Sequence, residues 1–147
     1  MFKHILVPTD GSKLSLKALD LACTMVGAGD TKLTVLHVAP GYPAFVGGDG
    51  YMMVPMPFET WEKSGLAQTE KIRAVVEKRA NAKSVVVQFL SVTLDTPYLA
   101  IIDTAKRKKC DVIVMASHGR RGISAVLLGS ETAKVLTHCT VPVLVCR

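Results

Sequence analysis

Short apolar runs alternate along this chain with segments whose apolar residues recur every three or four positions. Lys3-His-Ile-Leu-Val-Pro8 reads as a short buried strand. Leu14, Ala18, Leu21, Ala22 and Met25 then recur at helical spacing and predict a helix over 15–27, stopped by Gly27-Ala-Gly29. Leu33–Val38 is a second strand. A helix is predicted over 58–80, with Trp61, Ile72, Val75 and Val76 on one face, Leu66 off it and Gly65 weakening its middle. Ser84–Leu94 supplies a third strand. Thr96-Pro97 starts a third helix, because proline in the first turn gives up an N–H that the helix does not use. Its inner face is marked by Tyr98, Ile101, Ile102 and Ala105. Asp111–Ala116, Ser130–Thr137 and Val141–Cys146 follow as strand, helix and strand.

The order is therefore βαβαβαβαβ. Continuous apolar strands between amphipathic helices specify an α/β fold, with a parallel sheet covered by helices on both faces. Neither an internal repeat nor a second domain is apparent, so residues 1–147 are expected to form a single domain. One connection stands out. Residues 39–57, rich in Gly, Pro and aromatics, exceed the usual loop length and predict a lid or an interaction segment.

Composition narrows the class. At 49% hydrophobic and 20% charged residues, the chain excludes disorder. Aromatics are only 5%, so the core must be aliphatic. The longest apolar runs are strand-sized, well short of the ~20 residues of a membrane span. The first residues enter a strand at once rather than forming a secretory signal. The chain is therefore expected to be cytoplasmic, with no membrane partner. Cys23, Cys110, Cys139 and Cys146 are widely spaced, with no C-x-x-C pair and no zinc-like spacing, and read as packed thiols. The net charge of +6 raises the question of nucleic acid. The densest cluster, Lys106-Arg-Lys-Lys109, lies at a helix end, where cations complement the dipole. No aromatic residues interleave with it to stack bases. No nucleic-acid partner is expected.

The candidate chemistry lies in two loops. Met115-Ala-Ser-His-Gly-Arg-Arg-Gly122 leaves the fourth predicted strand, and the segment closes at Gly129-Ser130 on a helix start. Free N–H groups and the dipole at a helix start favour phosphate, and glycines let the backbone come close. Ligands of open α/β sheets bind beyond the carboxyl ends of strands where strand order reverses. If the first and fourth strands are neighbours there, Pro8-Thr-Asp-Gly-Ser12 meets this loop, and Asp10 can accept from ribose hydroxyls. Neither G-x-x-x-x-G-K-[ST] nor G-x-G-x-x-G is present.

With these residues in view, the chain closely resembles the universal stress protein family, in its ATP-binding branch. That branch carries G-x2-G-x9-G-[ST]; this chain has Ala116-x2-Gly119-x9-Gly129-Ser130, with alanine for the first glycine. Val-Pro-Thr-Asp at 7–10, Leu-His-Val at 36–38, Ser-His-Gly-Arg-Arg-Gly at 117–122 and Pro-Val-Leu-Val at 142–145 match as well. The resemblance covers essentially the whole chain. It implies a five-stranded parallel sheet of order 3-2-1-4-5, Rossmann-like and similar to the adenine-nucleotide α-hydrolases. It also implies a homodimer through the C-terminal strand, 141–146. The implied ligand is ATP, or AMP or ADP, with any Mg²⁺ or Mn²⁺ held by the phosphates. By position, Asp10 would meet ribose, and Pro8, Thr9, Val38 and Met115 would surround adenine or ribose. Ala116, Ser117, His118, Gly119, Arg120, Arg121 and Gly122, with Gly129, Ser130, Glu131 and Thr132, would surround the phosphates. If the family glycine needs positive φ, Ala116 carries strain of about 1 kcal/mol.

Plainer roles stand beside these. Asp10 can cap its own turn through an Asx bond, Ser130 can be a simple N-cap, and Arg120 and Arg121 can be solvated loop charges. No Ser/His/Asp or Cys/His set surrounds His118, and no catalytic residue is assigned. The implied function is a nucleotide-dependent dimeric switch in stress signalling, read by an unknown partner. A slow ATPase or self-phosphorylating enzyme, and a dimerisation module with a vestigial site, are the alternatives.

Overall fold

The computed structural model describes residues 2–27, 30–43, 45–46, 52–53, 56–119 and 128–147. In chain order the elements are β1 (His4–Thr9), α1 (Lys13–Met25), β2 (Lys32–Ala39), β3 (Phe45–Val46), β4 (Met52–Met53) and α2 (Phe58–Asn81). They are followed by β5 (Val87–Thr93), α3 (Pro97–Arg107), β6 (Val112–Ala116), α4 (Ser130–His138) and β7 (Val143–Cys146).

Five strands form one parallel sheet of order β5-β2-β1-β6-β7. Counted along the sheet-forming strands, that order is 3-2-1-4-5, as the resemblance implies. The two-residue strands β3 and β4 pair antiparallel inside the long 39–57 connection, a small hairpin that no periodicity announces.

Period-two alternation divides the core. Ile5, Val7, Leu33, Val35, Val112 and Val114 face α1 and α2, against Leu16, Leu19, Ala22, Ile72 and Val76. The intervening Leu6, Leu36, Ile113 and Met115 face α3 and α4, against Ile101, Ala105 and Val135. Each central strand thus buries both faces, which is why it reads as a continuous apolar run.

Several positions depart from the expected pattern. α1 buries Leu16, Leu19 and Cys23, whereas Leu21 is exposed. α2 turns Thr69, Ile72, Val76 and Ala80 inward and leaves Val75 in solvent. The third sheet strand begins at Val87 rather than Ser84, because 82–86 form the turn that ends α2. There Val85 N–H donates to Ala80 O at 3.0 Å and Ser84 N–H to Asn81 O at 2.9 Å. α3 ends the same way, with Cys110 N–H on Ala105 O at 2.9 Å and Lys109 N–H on Lys106 O at 3.1 Å. The pivots of these two turns, Ser84 (φ 57°) and Lys109 (φ 54°), are the non-glycine residues with left-handed backbone among the described residues.

Candidate functional site

Sheet order reverses between β1 and β6. β1 runs on to β2 on one side, while β6 and β7 lie on the other. A crevice at the carboxyl edge is expected at such a point, and Gly11, Gly119 and Gly129 gather there with short polar residues.

The β1 side is a braced turn. Asp10 Oδ1 accepts from Ser12 N–H at 3.0 Å, closing an Asx turn around Gly11, whose φ of 77° suits glycine. The buried Thr9 hydroxyl accepts from Gly11 N–H at 3.1 Å and shares a bond of 2.9 Å with Ser15 Oγ. Ser12 Oγ accepts from Ser15 N–H at 3.2 Å and caps α1. From β2, buried His37 donates through Nδ1 to Thr9 O at 3.1 Å. His37 and Ser15 thus hold the peptide that presents Asp10. Their place was invisible in the sequence, where His37 looks like an ordinary strand residue.

The β6 side comes to meet this turn. Ser117 N–H donates to Cys146 O at 2.7 Å, extending the β6–β7 ladder by one residue. Two residues on, Gly119 lies so close to Asp10 that an added Cβ would stand 2.7 Å from Asp10 Oδ2. The start of α4 is pinned to the same loop. Gly129 N–H donates to Ser117 O at 2.6 Å, and a Cβ on Gly129 would sit 3.1 Å from both His118 Cα and Ser117 O. Asp10, Ser117–Gly119 and Gly129–Ser130 therefore stand at one place on the sheet edge.

This geometry explains two of the motif's small residues directly. Gly119 and Gly129 are small because neighbouring atoms occupy the space a side chain needs, not because their φ demands it. Ala116 is simpler still. It is the last residue of β6, paired with Cys146, and its φ is not left-handed, so the strain that a positive φ would bring does not arise.

The remaining residues take distinct places. Thr132 sends its buried hydroxyl to Ala116 O at 2.9 Å and ties α4 to β6. Glu131 turns away toward α3: its Oε2 accepts from Tyr98 N–H at 2.9 Å, and its Oε1 lies 3.0 Å from Lys134 Nζ. Both carboxylate oxygens are engaged, so they do not compete for the N–H groups of α4's first turn. Met115 is buried in the core beneath the crevice, with half-buried Val38 packed against the same cluster. Pro8 is half-buried and partnered with Leu36. Ser130 is exposed at the helix start. His118 Nδ1 lies 3.1 Å from Ser117 Oγ. Arg120, Arg121 and Gly122 lie outside the described residues. At the rim, burial pushes the Cys146 thiol up, as fits a packed thiol rather than a nucleophile.

A second concavity, a groove of about 170 Å³ between α1 and α2, is lined by Gly11, Leu16, Gln68, Lys71, Ile72 and Val75.

The family model of the universal stress proteins matches residues 1–147. The chain belongs to the universal stress protein family. Universal stress protein YxiE of Bacillus subtilis is 34% identical over 155 residues, covering 100% of both chains. Universal stress protein MJ0531 of Methanocaldococcus jannaschii is 32% identical over 150 residues, covering 100% of this chain and 83% of its own. Among solved structures, that of MJ0577 superposes with a TM-score of 0.78 at 27% identity, covering 99% of this chain and 96% of that one. A universal stress protein in complex with cAMP superposes with a TM-score of 0.72 at 23% identity, covering 99% of this chain and 97% of that one. The last likeness is one of fold.

Proposed function

We propose that this universal stress protein binds an adenine nucleotide, ATP or its mono- or diphosphate, at the junction of the β1 and β6 loops. The observation that carries the reading is the approach of Gly119 to Asp10 beside a helix start held by Gly129. The anion-holding part is the first turn of α4. Ala133 N–H closes the first helical bond on Gly129 O at 2.9 Å, so the N–H groups of Ser130, Glu131 and Thr132 precede it. Gly129 offers no side-chain cap to occupy them. Phosphates meet these N–H groups, the Ser130 hydroxyl and the backbone N–H groups of His118 and Gly119. Asp10 takes the ribose hydroxyls, and Pro8, Val38 and Met115 form the apolar floor and wall beside the base. Thr9 and Thr132 act from behind, through the bonds that hold the two loops. Any Mg²⁺ or Mn²⁺ is carried by phosphate oxygens.

The protein works as a binder whose occupancy is read by another molecule, in the cytoplasm and in response to stress. Pairing of the β7 edges of two copies would build the dimer and remove an open strand edge. The test is a thermal shift with ATP–Mg²⁺, run beside light scattering for dimer mass. Ligand at 100 times its dissociation constant adds about 2.7 kcal/mol of stability. No shift with ATP, ADP or AMP contradicts the reading, and a monomer at all nucleotide concentrations contradicts its dimeric part.

A further inference from the structure

The opposite edge of the sheet carries a row of lysines. Strands β5, β2, β1 and β6 are neighbours in that order, and an exposed lysine stands at the entry to each. Lys83 precedes β5, Lys32 opens β2, Lys3 precedes β1 and Lys109 precedes β6. Contacts run along the row. Lys32 N–H donates to Lys3 O at 2.9 Å, Asp111 N–H to His4 O at 3.0 Å, and His4 Nδ1 to Lys108 O at 3.0 Å. Lys108 Nζ reaches Gln88 Oε1 on β5 at 3.3 Å. At a strand spacing of about 4.8 Å, the four entries span about 14 Å.

The charge of this row is poorly balanced. Asp111 lies on the same edge and supplies one negative charge there, its carboxylate held by the backbone N–H groups of Lys3 (2.7 Å) and His4 (3.0 Å) rather than by a lysine ammonium. Asp30 lies two residues from Lys32 in the chain, and the charges of Asp20 and Lys83 both act on the Cys23 thiol. The arginines that end α2 and α3 are already paired, Arg79 with Asp20 at 2.6 Å and Arg107 with Asp103 at 2.8 Å. None of the four row lysines is in an ion pair among the described residues.

Helix-end electrostatics accounts for Lys106 and Lys108, and for Lys83 and Lys109 just past the ends of α2 and α3, but not for the other half of the row. Lys3 and Lys32 stand at strand entries, where no dipole favours a cation. Lys109 occupies a left-handed position that glycine fills most easily, and a side chain there costs about 1 kcal/mol.

The chemistry of the row selects its ligand. Ammonium groups are point charges without the planar fork of arginine. The edge offers one partly exposed ring, Phe2, and no series of rings on which bases could stack. Such a row grips a line of negative charge and reads nothing else. We propose that it binds inorganic polyphosphate, a linear polyanion without bases, at the edge opposite the nucleotide crevice.

The test titrates the full chain calorimetrically with long-chain inorganic polyphosphate over a range of salt. The combined variant Lys3→Gln, Lys32→Gln, Lys83→Gln, Lys109→Gln is titrated in parallel. The wild type is expected to bind with a steep salt dependence. The variant should lose more than about tenfold in affinity and about three released ions from the salt slope. Its thermal unfolding, and any nucleotide-induced shift, should stay unchanged, which separates this proposal from the nucleotide reading. Absence of wild-type binding, or equal binding by the variant, overturns the proposal. So does polyuridylate bound as tightly as polyphosphate, which would make the edge a nucleic-acid surface. Equal retention on phosphatidylglycerol vesicles would make it a membrane surface and overturns the proposal as well.

Discussion

Asp10 occupies the space that a side chain on Gly119 would need: a Cβ there would stand 2.7 Å from Asp10 Oδ2. These residues are far apart in the chain and leave different strands. Their contact makes one crevice of two loops, and it is a steric relationship that can be tested without any ligand. Gly119→Ala should push the Asp10 carboxylate off its bond to Ser12 N–H and weaken ATP binding by about tenfold or more. In a double-mutant cycle scored by denaturant midpoint, Asp10→Gly should relieve most of the cost of Gly119→Ala. Additive effects would show that the two residues do not touch.

Gly129→Ala meets backbone rather than a movable side chain, with 3.1 Å to His118 Cα and Ser117 O. The neighbours can yield only by moving the start of α4. The substitution should destabilise by about 1–3 kcal/mol and lengthen the Gly129–Ser117 bond. Urea unfolding measures the first effect, and amide exchange at Gly129 the second.

Ser84 is held at φ 57° in the turn after α2. Glycine adopts that conformation without the Cβ clash, so Ser84→Gly should stabilise by about 1 kcal/mol. Ser84→Val should do the opposite. Paired thermal melts decide the point.

Asp111 sets an acid limit. Burial alone would raise its pKa, but bonds from the backbone N–H groups of Lys3, His4 and Asp111 itself, with the charge of His4, hold it below the usual carboxylate value. A group whose pKa falls on folding contributes stability above its unfolded value. That stability is lost as pH drops through the folded value. Wild type should lose stability steadily below about pH 4. Asp111→Asn should be less stable at neutral pH and flatter through that acid range. Identical pH profiles would show that Asp111 does not contribute.

Neighbouring Cys110 is pushed up to about 11, first by burial and then by the Asp111 charge, with Lys108 opposing. At pH 8 about one Cys110 thiol in a thousand is ionised. Native protein should therefore alkylate at Cys110 far more slowly than urea-unfolded protein, as peptide mass spectrometry can follow.

The sequence disclosed the alternation of the central strands because residues such as Leu6 and Val7 are buried on opposite faces of one sheet. It disclosed both loops because glycine and Asx chemistry is local. It placed Ala18, Ala22, Ile72 and Val76 correctly on the inner faces of α1 and α2 but put Leu21 and Val75 beside them, which are exposed. Leu21 and Val75 are as apolar as Leu19 and Val76, and only the position of the neighbouring elements decides which of them is covered. Val85 and Val86 look like strand residues, yet Val85 plugs the end of α2 and Val86 is 90% exposed. The fate of Ala116 depended on its φ, which composition does not report. The diversion of Glu131 to Tyr98 depended on the packing of α3 against α4. The lysine row is spread over four segments and becomes a row only when the strands are laid side by side.

The nucleotide crevice is tested most directly by amide hydrogen exchange with and without ATP–Mg²⁺. Protection is expected at residues 10–12, 117–119 and 129–132, with the groove between α1 and α2 at Gln68–Val75 unchanged. Protection confined to that groove, or none at the three loop segments under saturating ATP, would contradict the account.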